Sequence, residues 1–133
     1  MIKVVVIDGN AISRNLLTTL LVNGGYELAG DGNASAASLA SLARLMPQVV
    51  CIDLGDGGMD LLDAVRAAMP KALIFLVSGR MDADTVQAAV QRQVSGFIVK
   101  PFKGDTVLNT IRNAIIKLAR QHRAAANPGD ISE

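Results

Sequence analysis

The chain alternates between two patterns of apolar and polar residues. Five short segments are almost wholly apolar and rich in β-branched residues, which is typical of strands buried on both faces of a sheet. Longer stretches with apolar residues at helical spacing separate them. The predicted strands are Lys3 to Asp8, about Tyr26 to Gly30, Val49 to Asp53, Ala72 to Ser78 and Gly96 to Val99.

The helical stretches carry recognisable starts and ends. "SRNLLTTLLVNGG" places four leucines on one face and ends at a pair of glycines, and "SAASLASLARLMP" repeats this pattern before a proline. Asp60 and Asp82 are predicted to cap the next two helices. The last helix is predicted from about Lys103 into the region of Arg120. The sequence therefore predicts an α/β fold with a single doubly wound five-stranded parallel sheet.

Composition limits the class of protein. The chain has 133 residues, of which 50% are hydrophobic and 3% aromatic, and its formal net charge is +1. These values fit one ordinary globular domain with an aliphatic core. No apolar run is long enough to cross a membrane, and no signal peptide is evident, so we expect a cytoplasmic protein without membrane contact. Cys51, the single cysteine, is predicted to be a small buried core residue in a reducing compartment.

Polar side chains of one chemical kind follow the predicted strands. Asp8 and Asp53 end the first and third strands, Ser78 ends the fourth, and Lys100 follows the fifth. Ligands of doubly wound sheets bind outside the carboxyl ends of the strands. Carboxylates hold a hard cation such as Mg²⁺, while a hydroxyl and a lysine contact phosphate oxygens. The four residues together predict an acceptor site for phosphoryl transfer.

Three motifs resemble the receiver domain of bacterial two-component response regulators, which has a (βα)5 flavodoxin-like fold. "CIDLGDGGMD" resembles the phosphoacceptor loop, "FLVSG" the switch Ser/Thr with its small neighbour, and "GFIVKPF" the aromatic and Lys-Pro-Phe segment. The resemblance covers approximately residues 2 to 120. It implies a phosphoacceptor signalling module of a phosphorelay, with no enzymatic activity beyond its own phosphorylation and dephosphorylation.

The resemblance also implies the roles of the acidic loop residues. Asp53 would accept a phosphoryl group from a histidine kinase or a phosphotransfer protein. Asp8, Asp53 and the backbone carbonyl of Gly55 would bind Mg²⁺, and Asp56 is a further candidate ligand.

Four other residues take switch roles by the same resemblance. Lys100 would pair with the acceptor carboxylate and then with the phosphoryl group, and Ser78 would bond a phosphoryl oxygen. Phe97 would be the aromatic residue whose burial changes with the switch. Pro101 would follow Lys100 through a cis peptide bond.

The chain departs from the family pattern at Gly9. Receivers usually carry two adjacent acids after the first strand, and the spacing to Arg14 aligns Asp8 with the first acid and Gly9 with the second. The missing acid predicts a weakened Mg²⁺ site, although Asn10 offers a neutral oxygen. The acceptor loop also contains three glycines in four residues, so we expect it to be mobile; a plain turn before the next helix is an equal interpretation.

The last helix indicates where partners bind. From Lys100 to Arg123 there are six Lys or Arg against one acid, a local excess of +5. A solvated face explains this excess by default, and an acidic protein partner is the second interpretation. No aromatic residues lie between the basic positions from Lys103 onward, so direct nucleic-acid binding is not expected. The face from the fourth to the fifth helix is where many receivers form homodimers or meet downstream proteins.

The sequence predicts a domain followed by a short C-terminal segment. Residues 1–124 are predicted to form the receiver domain, and residues 125–133 a flexible tail or the start of a linker. Besides the phosphoacceptor, the sequence leaves two other functions open. One is a degenerate receiver that acts as a phosphorylation-independent interaction module, motivated by Gly9. The other is a haloacid-dehalogenase-like phosphohydrolase with Asp8 as nucleophile, disfavoured because Asn10 stands where that family needs an aspartate.

Overall fold

One parallel sheet organises the fold of this computed structural model, which describes residues 1–126. Its strands lie in the spatial order β2-β1-β3-β4-β5, and every neighbouring pair is parallel. The strands are β1 Lys3–Ile7, β2 Glu27–Gly32, β3 Val49–Asp53, β4 Leu73–Ser78 and β5 Gly96–Val99. The helices are α1 Ala11–Asn23, α2 Ala36–Ala43, α3 Gly58–Ala68, α4 Ala83–Gln91 and α5 Gly104–Ala126. The predicted doubly wound, flavodoxin-like fold is confirmed.

Alternate strand residues build two core layers. Val5, Ile7, Val50 and Ile52 pack on one face of the sheet with residues from α2, α3 and α4. The opposite face includes Cys51 and packs against α1 and α5. Cys51 is fully buried, as predicted, and burial raises the pKa of its thiol to about 12. Helices on both faces explain why the strands are apolar throughout.

The predicted helix caps are half right. Asp82 caps α4, because its side chain accepts a hydrogen bond from the Thr85 amide at 2.8 Å. Asp60 is not a cap: α3 begins two residues earlier, with Gly57 as its N-cap, so Asp60 lies in the first turn. Helix α3 begins without a side-chain cap. Its first residue, Gly58, therefore belongs to the glycine-rich loop. Asp60 still lies near the positive end of the helix dipole.

The last helix is longer than the sequence pattern indicated. Its 23 residues span about 34 Å, since each residue rises about 1.5 Å along the axis. Helix α5 runs two residues past the boundary predicted at residue 124, and residues 127–133 of the predicted tail lie outside the described part of the chain. The division of the chain into domain and tail stays a prediction. Within the described residues, no helix has the length and apolar character that a membrane crossing requires.

Candidate functional site

Two carboxylates and one ammonium group meet at the carboxyl edge of the sheet. The Nζ atom of Lys100 lies 2.6 Å from Oδ2 of Asp53 and 2.9 Å from Oδ2 of Asp8. Strands β1 and β3 are neighbours, so their carboxyl ends bring the two acids together. The structure therefore joins three of the residues that the sequence predicted for the site.

Lys100 reaches the acids from the loop that follows β5. Its amide donates to the Ser78 carbonyl at 3.0 Å, which fixes the start of the loop beside β4, and the Lys100–Pro101 peptide bond is cis. Burial of the ammonium lowers its pKa, but the hydrogen bonds and charges of Asp53 and Asp8 outweigh this and raise the pKa of Lys100 above its ordinary value. Lys100 is therefore a firmly protonated cation in this site.

The start of α1 holds Asp8 in place. Only 5% of Asp8 is exposed, and its Oδ1 accepts a hydrogen bond from the Asn10 amide at 2.8 Å. The Asn10 side chain accepts from the Ser13 amide and so caps α1. Arg14 donates from Nη1 to the Asp8 carbonyl at 2.7 Å and from Nε to Asp31 at 3.1 Å. The sequence had assigned these roles to neither Asn10 nor Arg14; cap chemistry at Asn10 was the available signal.

The loop after β3 wraps around the acceptor candidate. Asp53 Oδ1 accepts a hydrogen bond from the Gly55 amide at 2.9 Å. Gly55 has a φ of 53° and Gly58 a φ of 60°, the left-handed region where a side chain would be strained. Asp56 is exposed and lines the same cleft of about 500 Å³ as Asp8 and Asp53. The glycines thus let the loop turn closely over Asp53.

The donor atoms suit a hard cation, although they are few. Carboxylate oxygens of Asp8 and Asp53 already converge on one positive group, the Lys100 ammonium, which shows that the pair can face a shared cation. Within residues 1–126, no three His, Cys, Asp or Glu side chains form a cluster able to hold a metal ion. Asp56 therefore does not complete a three-carboxylate site here. A Cβ atom on Gly9 would meet nothing within 4 Å, so the place of a second acid is open space.

The two remaining predicted residues lie beside this cluster without joining it. Ser78 turns toward its own loop: its hydroxyl donates to the Arg80 carbonyl and accepts from the Arg80 amide, both at 2.9 Å. Phe97 is half-buried and packs against the core layer formed with α2, α3 and α4. Its strand neighbour across the sheet is Leu76, two residues before Ser78. Ser78 ends β4 and Phe97 lies on β5, and Lys100 follows β5 directly.

Comparison with known families identifies the family of the chain. A family model described as the response regulator receiver domain matches residues 4–112. The chain belongs to this family. Its receiver domain is similar to the chemotaxis protein CheY of Thermotoga maritima, with 28% identity over 112 residues, 82% of this chain and 93% of CheY. It is also 29% identical over 123 residues to the luminescence regulatory protein LuxO of Vibrio campbellii, covering 90% of this chain and 26% of LuxO.

Solved structures show the same receiver fold. The chain superimposes on NtrX from Brucella abortus with a TM-score of 0.80 at 24% identity, covering all of this chain and 30% of NtrX. It superimposes on a response regulator from Thermotoga maritima with a TM-score of 0.75 at 22% identity, covering 86% of this chain and 98% of that one. The receiver domain thus spans nearly all of some relatives and about a quarter to a third of others.

Family membership fixes the general class of activity. Receiver domains of CheY, LuxO and NtrX relatives belong to two-component signalling, so this chain is a two-component signalling module with a regulatory role. The hypothesis of a haloacid-dehalogenase-like phosphohydrolase gains no support from the match. The same family generally binds Mg²⁺ at its phosphorylation site and works with histidine kinases or phosphotransfer proteins and with downstream partners.

Proposed function

We propose that this receiver domain accepts a phosphoryl group on Asp53. The observation that carries the proposal is the position of Lys100 Nζ, 2.6 Å from the Asp53 carboxylate and 2.9 Å from Asp8. A carboxylate beside a fixed cation is a suitable acceptor, because the cation neutralises negative charge as phosphate approaches. Asp53 is also accessible, since one fifth of its side chain is exposed to the cleft.

The transfer step needs little from the protein beyond position and charge. A carboxylate oxygen of Asp53 forms a bond to phosphorus while the bond from phosphorus to a donor histidine nitrogen breaks. The nitrogen keeps the electron pair of that bond, and the phosphoryl group moves as a unit. The Gly55 amide and the Lys100 ammonium, which both contact the Asp53 carboxylate, hold it in place during this exchange.

The metal belongs to the same proposal. Asp8, Asp53 and the Gly55 backbone carbonyl would hold Mg²⁺, with water and phosphate oxygens filling its other positions, and Asp56 is a further ligand if the loop rearranges. When bound, the ion supplies positive charge that neutralises the transferring phosphoryl group. Because Gly9 offers no side chain, we expect weaker binding of Mg²⁺ than a second carboxylate would give.

Ser78 and Phe97 would respond to the phosphoryl group. The Ser78 hydroxyl makes two hydrogen bonds to the Arg80 backbone, and donating its proton to a phosphoryl oxygen requires the bond to the Arg80 carbonyl to break. Phe97, half-buried on β5, would then change its burial. The switch would thus reach the surface between α4 and α5.

That surface carries apolar side chains suited to a partner. Val90 on α4 is 57% exposed, Val99 on β5 is 54% exposed, and Ile116 on α5 is 38% exposed. Strand β5 is also an edge of the sheet. We take this α4–β5–α5 face as the place where a downstream protein binds or a homodimer forms. The phosphoryl donor would be a histidine kinase or a phosphotransfer protein that reaches Asp53 at the carboxyl edge of the sheet.

Mass spectrometry tests the acceptor directly. The chain would be incubated with Mg²⁺ and acetyl phosphate and examined for one added phosphoryl group. We expect the adduct in the unchanged chain and in Asp56→Ala, because Asp56 is an exposed acid only three residues away. Asp53→Ala should abolish it. An adduct that persists in Asp53→Ala would contradict the assignment of the acceptor.

A phosphorylation-independent interaction module is the second candidate. The open space at Gly9 and the pair of carboxylates, in place of three, favour this function. It predicts no adduct even at high donor and Mg²⁺ concentrations. It also predicts that Asp53→Ala leaves partner binding unchanged, whereas the phosphoacceptor function predicts that partner affinity depends on Asp53.

A further inference from the structure

One oxygen of each acid in the acceptor site is held by its own loop. Asp8 Oδ1 accepts a hydrogen bond from the Asn10 amide at 2.8 Å, and Asp53 Oδ1 accepts one from the Gly55 amide at 2.9 Å. The second oxygen of each carboxylate, Oδ2, contacts the same group, the Lys100 ammonium. The two oxygens that make no bond to a loop amide are thus the ones that Lys100 holds.

Lys100 is well placed to take the position of a bound cation. Its side chain is 22% exposed, and the side chains of Asp53 and Asp8 are 20% and 8% exposed. Partial burial strengthens the attraction between these opposite charges, because water screens them less. The lysine side chain is nevertheless a flexible stem of four carbons and lines the same cleft as both acids. The ammonium can therefore leave the acids without a change in the backbone.

The charge of the site indicates that a second cation would compete with Lys100. Two carboxylates and one ammonium sum to −1, so a divalent ion bound while Lys100 stays in place would bring the total to +1. A second acid at position 9 would bring that total to zero, but Gly9 has no side chain. The nearby guanidinium of Arg14 is balanced by its own partner, Asp31. Without a complete acidic pair, the two cations repel each other with less compensation.

We propose that Lys100 is an internal competitor of Mg²⁺, and that tight metal binding requires its ammonium to leave Asp8. This inference rests on the proposed function, because it concerns the metal of the same acceptor site. Without a phosphoryl group, Lys100 stays on both acids and the site holds the metal weakly. A phosphoryl group on Asp53 offers the ammonium new oxygen acceptors and so frees Asp8. The metal and the phosphoryl group then bind cooperatively.

Calorimetric titration of the full chain with MgCl₂ tests the competition. We expect Lys100→Met to bind Mg²⁺ at least about tenfold more tightly than the unchanged chain, because the competing charge is gone and the side chain keeps a similar length. Lys103→Met removes the same charge from an exposed position three residues away. At physiological salt this control should change the affinity by less than about twofold, since salt screens exposed charges.

The unchanged chain gives a second measurement, which decides the matter if amide spectra show that Lys100→Met does not fold. Hydrogen bonds to the two acids should slow the exchange of the Lys100 Nζ protons with water, which NMR of a ¹⁵Nζ-labelled chain detects. We expect saturation with Mg²⁺ to accelerate this exchange several-fold, because Lys100 loses its bond to Asp8. The Lys103 signal should stay unchanged.

Three results would overturn the proposal. These are Mg²⁺ binding by Lys100→Met that is no tighter than that of the unchanged chain, an equal gain in Lys103→Met, and slow Nζ exchange at Lys100 while the Asn10 and Gly55 amide signals report bound metal. No phosphodonor is present in these measurements, so the acceptor function is decided separately. Tighter metal binding by Lys100→Met without any phosphoryl adduct on the unchanged chain would support the competition and contradict the acceptor function.

Discussion

Lys100 Nζ lies 2.9 Å from the carboxylate of Asp8, although 92 residues separate them in sequence. The contact crosses most of the sheet, because β5 is an edge strand and β1 lies three positions away. Asp8 is among the few buried polar residues, and Lys100 is the cation that balances its charge. This ion pair connects the stability of the fold to the chemistry of the acceptor site.

Replacing Lys100 should therefore destabilise the fold at neutral pH. Lys100→Met leaves the buried Asp8 carboxylate without its cation, and we expect a loss of about 2 kcal/mol in the free energy of unfolding. Urea denaturation measures this loss. Lys103→Met is the matched control, since Lys103 is exposed and makes no ion pair among the described residues. Equal effects of the two substitutions would show that the pair does not stabilise the fold.

The pH dependence of that difference has a definite sign. The pKa of Lys100 is raised in the folded protein above the ordinary 10.5, so its contribution is complete below that pH. It is lost as the pH rises through the higher folded value. The stability difference between the unchanged chain and Lys100→Met should thus stay constant from neutral pH to about pH 10 and shrink above 10.5. A difference that grows at alkaline pH would contradict this assignment.

Restoring an acid at Gly9 should strengthen binding of Mg²⁺. A Cβ atom at this position would meet nothing within 4 Å, and the backbone lies outside the left-handed region, so Gly9→Asp introduces a carboxylate without backbone strain. A further charged ligand should lower the dissociation constant for Mg²⁺ on the order of tenfold. Calorimetric titration measures it, with Gly9→Asn as the neutral control of similar shape. Equal affinities of the Asp and Asn variants would place the metal away from residue 9.

The hydrogen bonds between Ser78 and Arg80 give a direct measure of switching. Beryllofluoride with Mg²⁺ mimics the phosphoryl group, and if Ser78 turns toward it, the Arg80 amide loses its acceptor. We expect amide hydrogen exchange at Arg80 to become several-fold faster upon addition. In Ser78→Ala the exchange should be fast from the start and unchanged by beryllofluoride. Unchanged exchange in a chain that demonstrably binds beryllofluoride would mean that Ser78 keeps its contacts.

Arg66 should contribute to stability without an acidic partner. Its guanidinium donates to the carbonyls of Pro70, Ala72 and Gln93 and so ties together the loops before β4 and β5. Burial lowers the pKa of Arg66, which shows that the environment disfavours its charge. Arg66→Ala should cost about 2 to 3 kcal/mol in urea denaturation, because carbonyls lose their donor.

The matched control for Arg66 is an exposed ion pair on the neighbouring helices. Asp63→Ala removes the ion pair with Arg92. Both side chains of this pair are partly exposed, so the substitution should lower the free energy of unfolding by less than about 1 kcal/mol. If Asp63→Ala were as destabilising as Arg66→Ala, the three carbonyl contacts would not explain the role of Arg66.

The sequence predicts the fold well because apolar strands and helical spacing are local signals. It also predicts that Asp8, Asp53 and Lys100 lie at one edge of the sheet, because the carboxyl ends of parallel strands share an edge. It does not predict that Lys100 contacts Asp8, because that contact depends on strand order and on the reach of a lysine side chain. Nor does it predict that Asn10 caps α1, because the same amide oxygen is also a plausible neutral metal ligand. Side-chain geometry decides both.

An apolar groove of about 660 Å³ between α5 and the loops before β3 and β4 could not be predicted from the sequence either. The apolar spacing of α5 continues past the sheet, but only the loops before β3 and β4 turn that stripe into a concave surface. Met46 illustrates this point, since its φ of 52° places an exposed apolar side chain at a loop position that no helical pattern marks. Asp60 shows a different error: the sequence predicts the N-cap of α3 three residues after the observed cap, Gly57.

The glycine at position 9 also changes what an approaching donor encounters. Two carboxylates and one ammonium give the site a net charge of −1, where a third acid would give −2. One negative charge fewer at roughly 7 Å lowers the electrostatic work of bringing in a singly charged anion by about 2 kcal/mol at an effective dielectric constant of 20. We therefore expect Gly9 to have two effects: weaker binding of Mg²⁺ and a smaller electrostatic barrier to the arrival of small anionic phosphodonors.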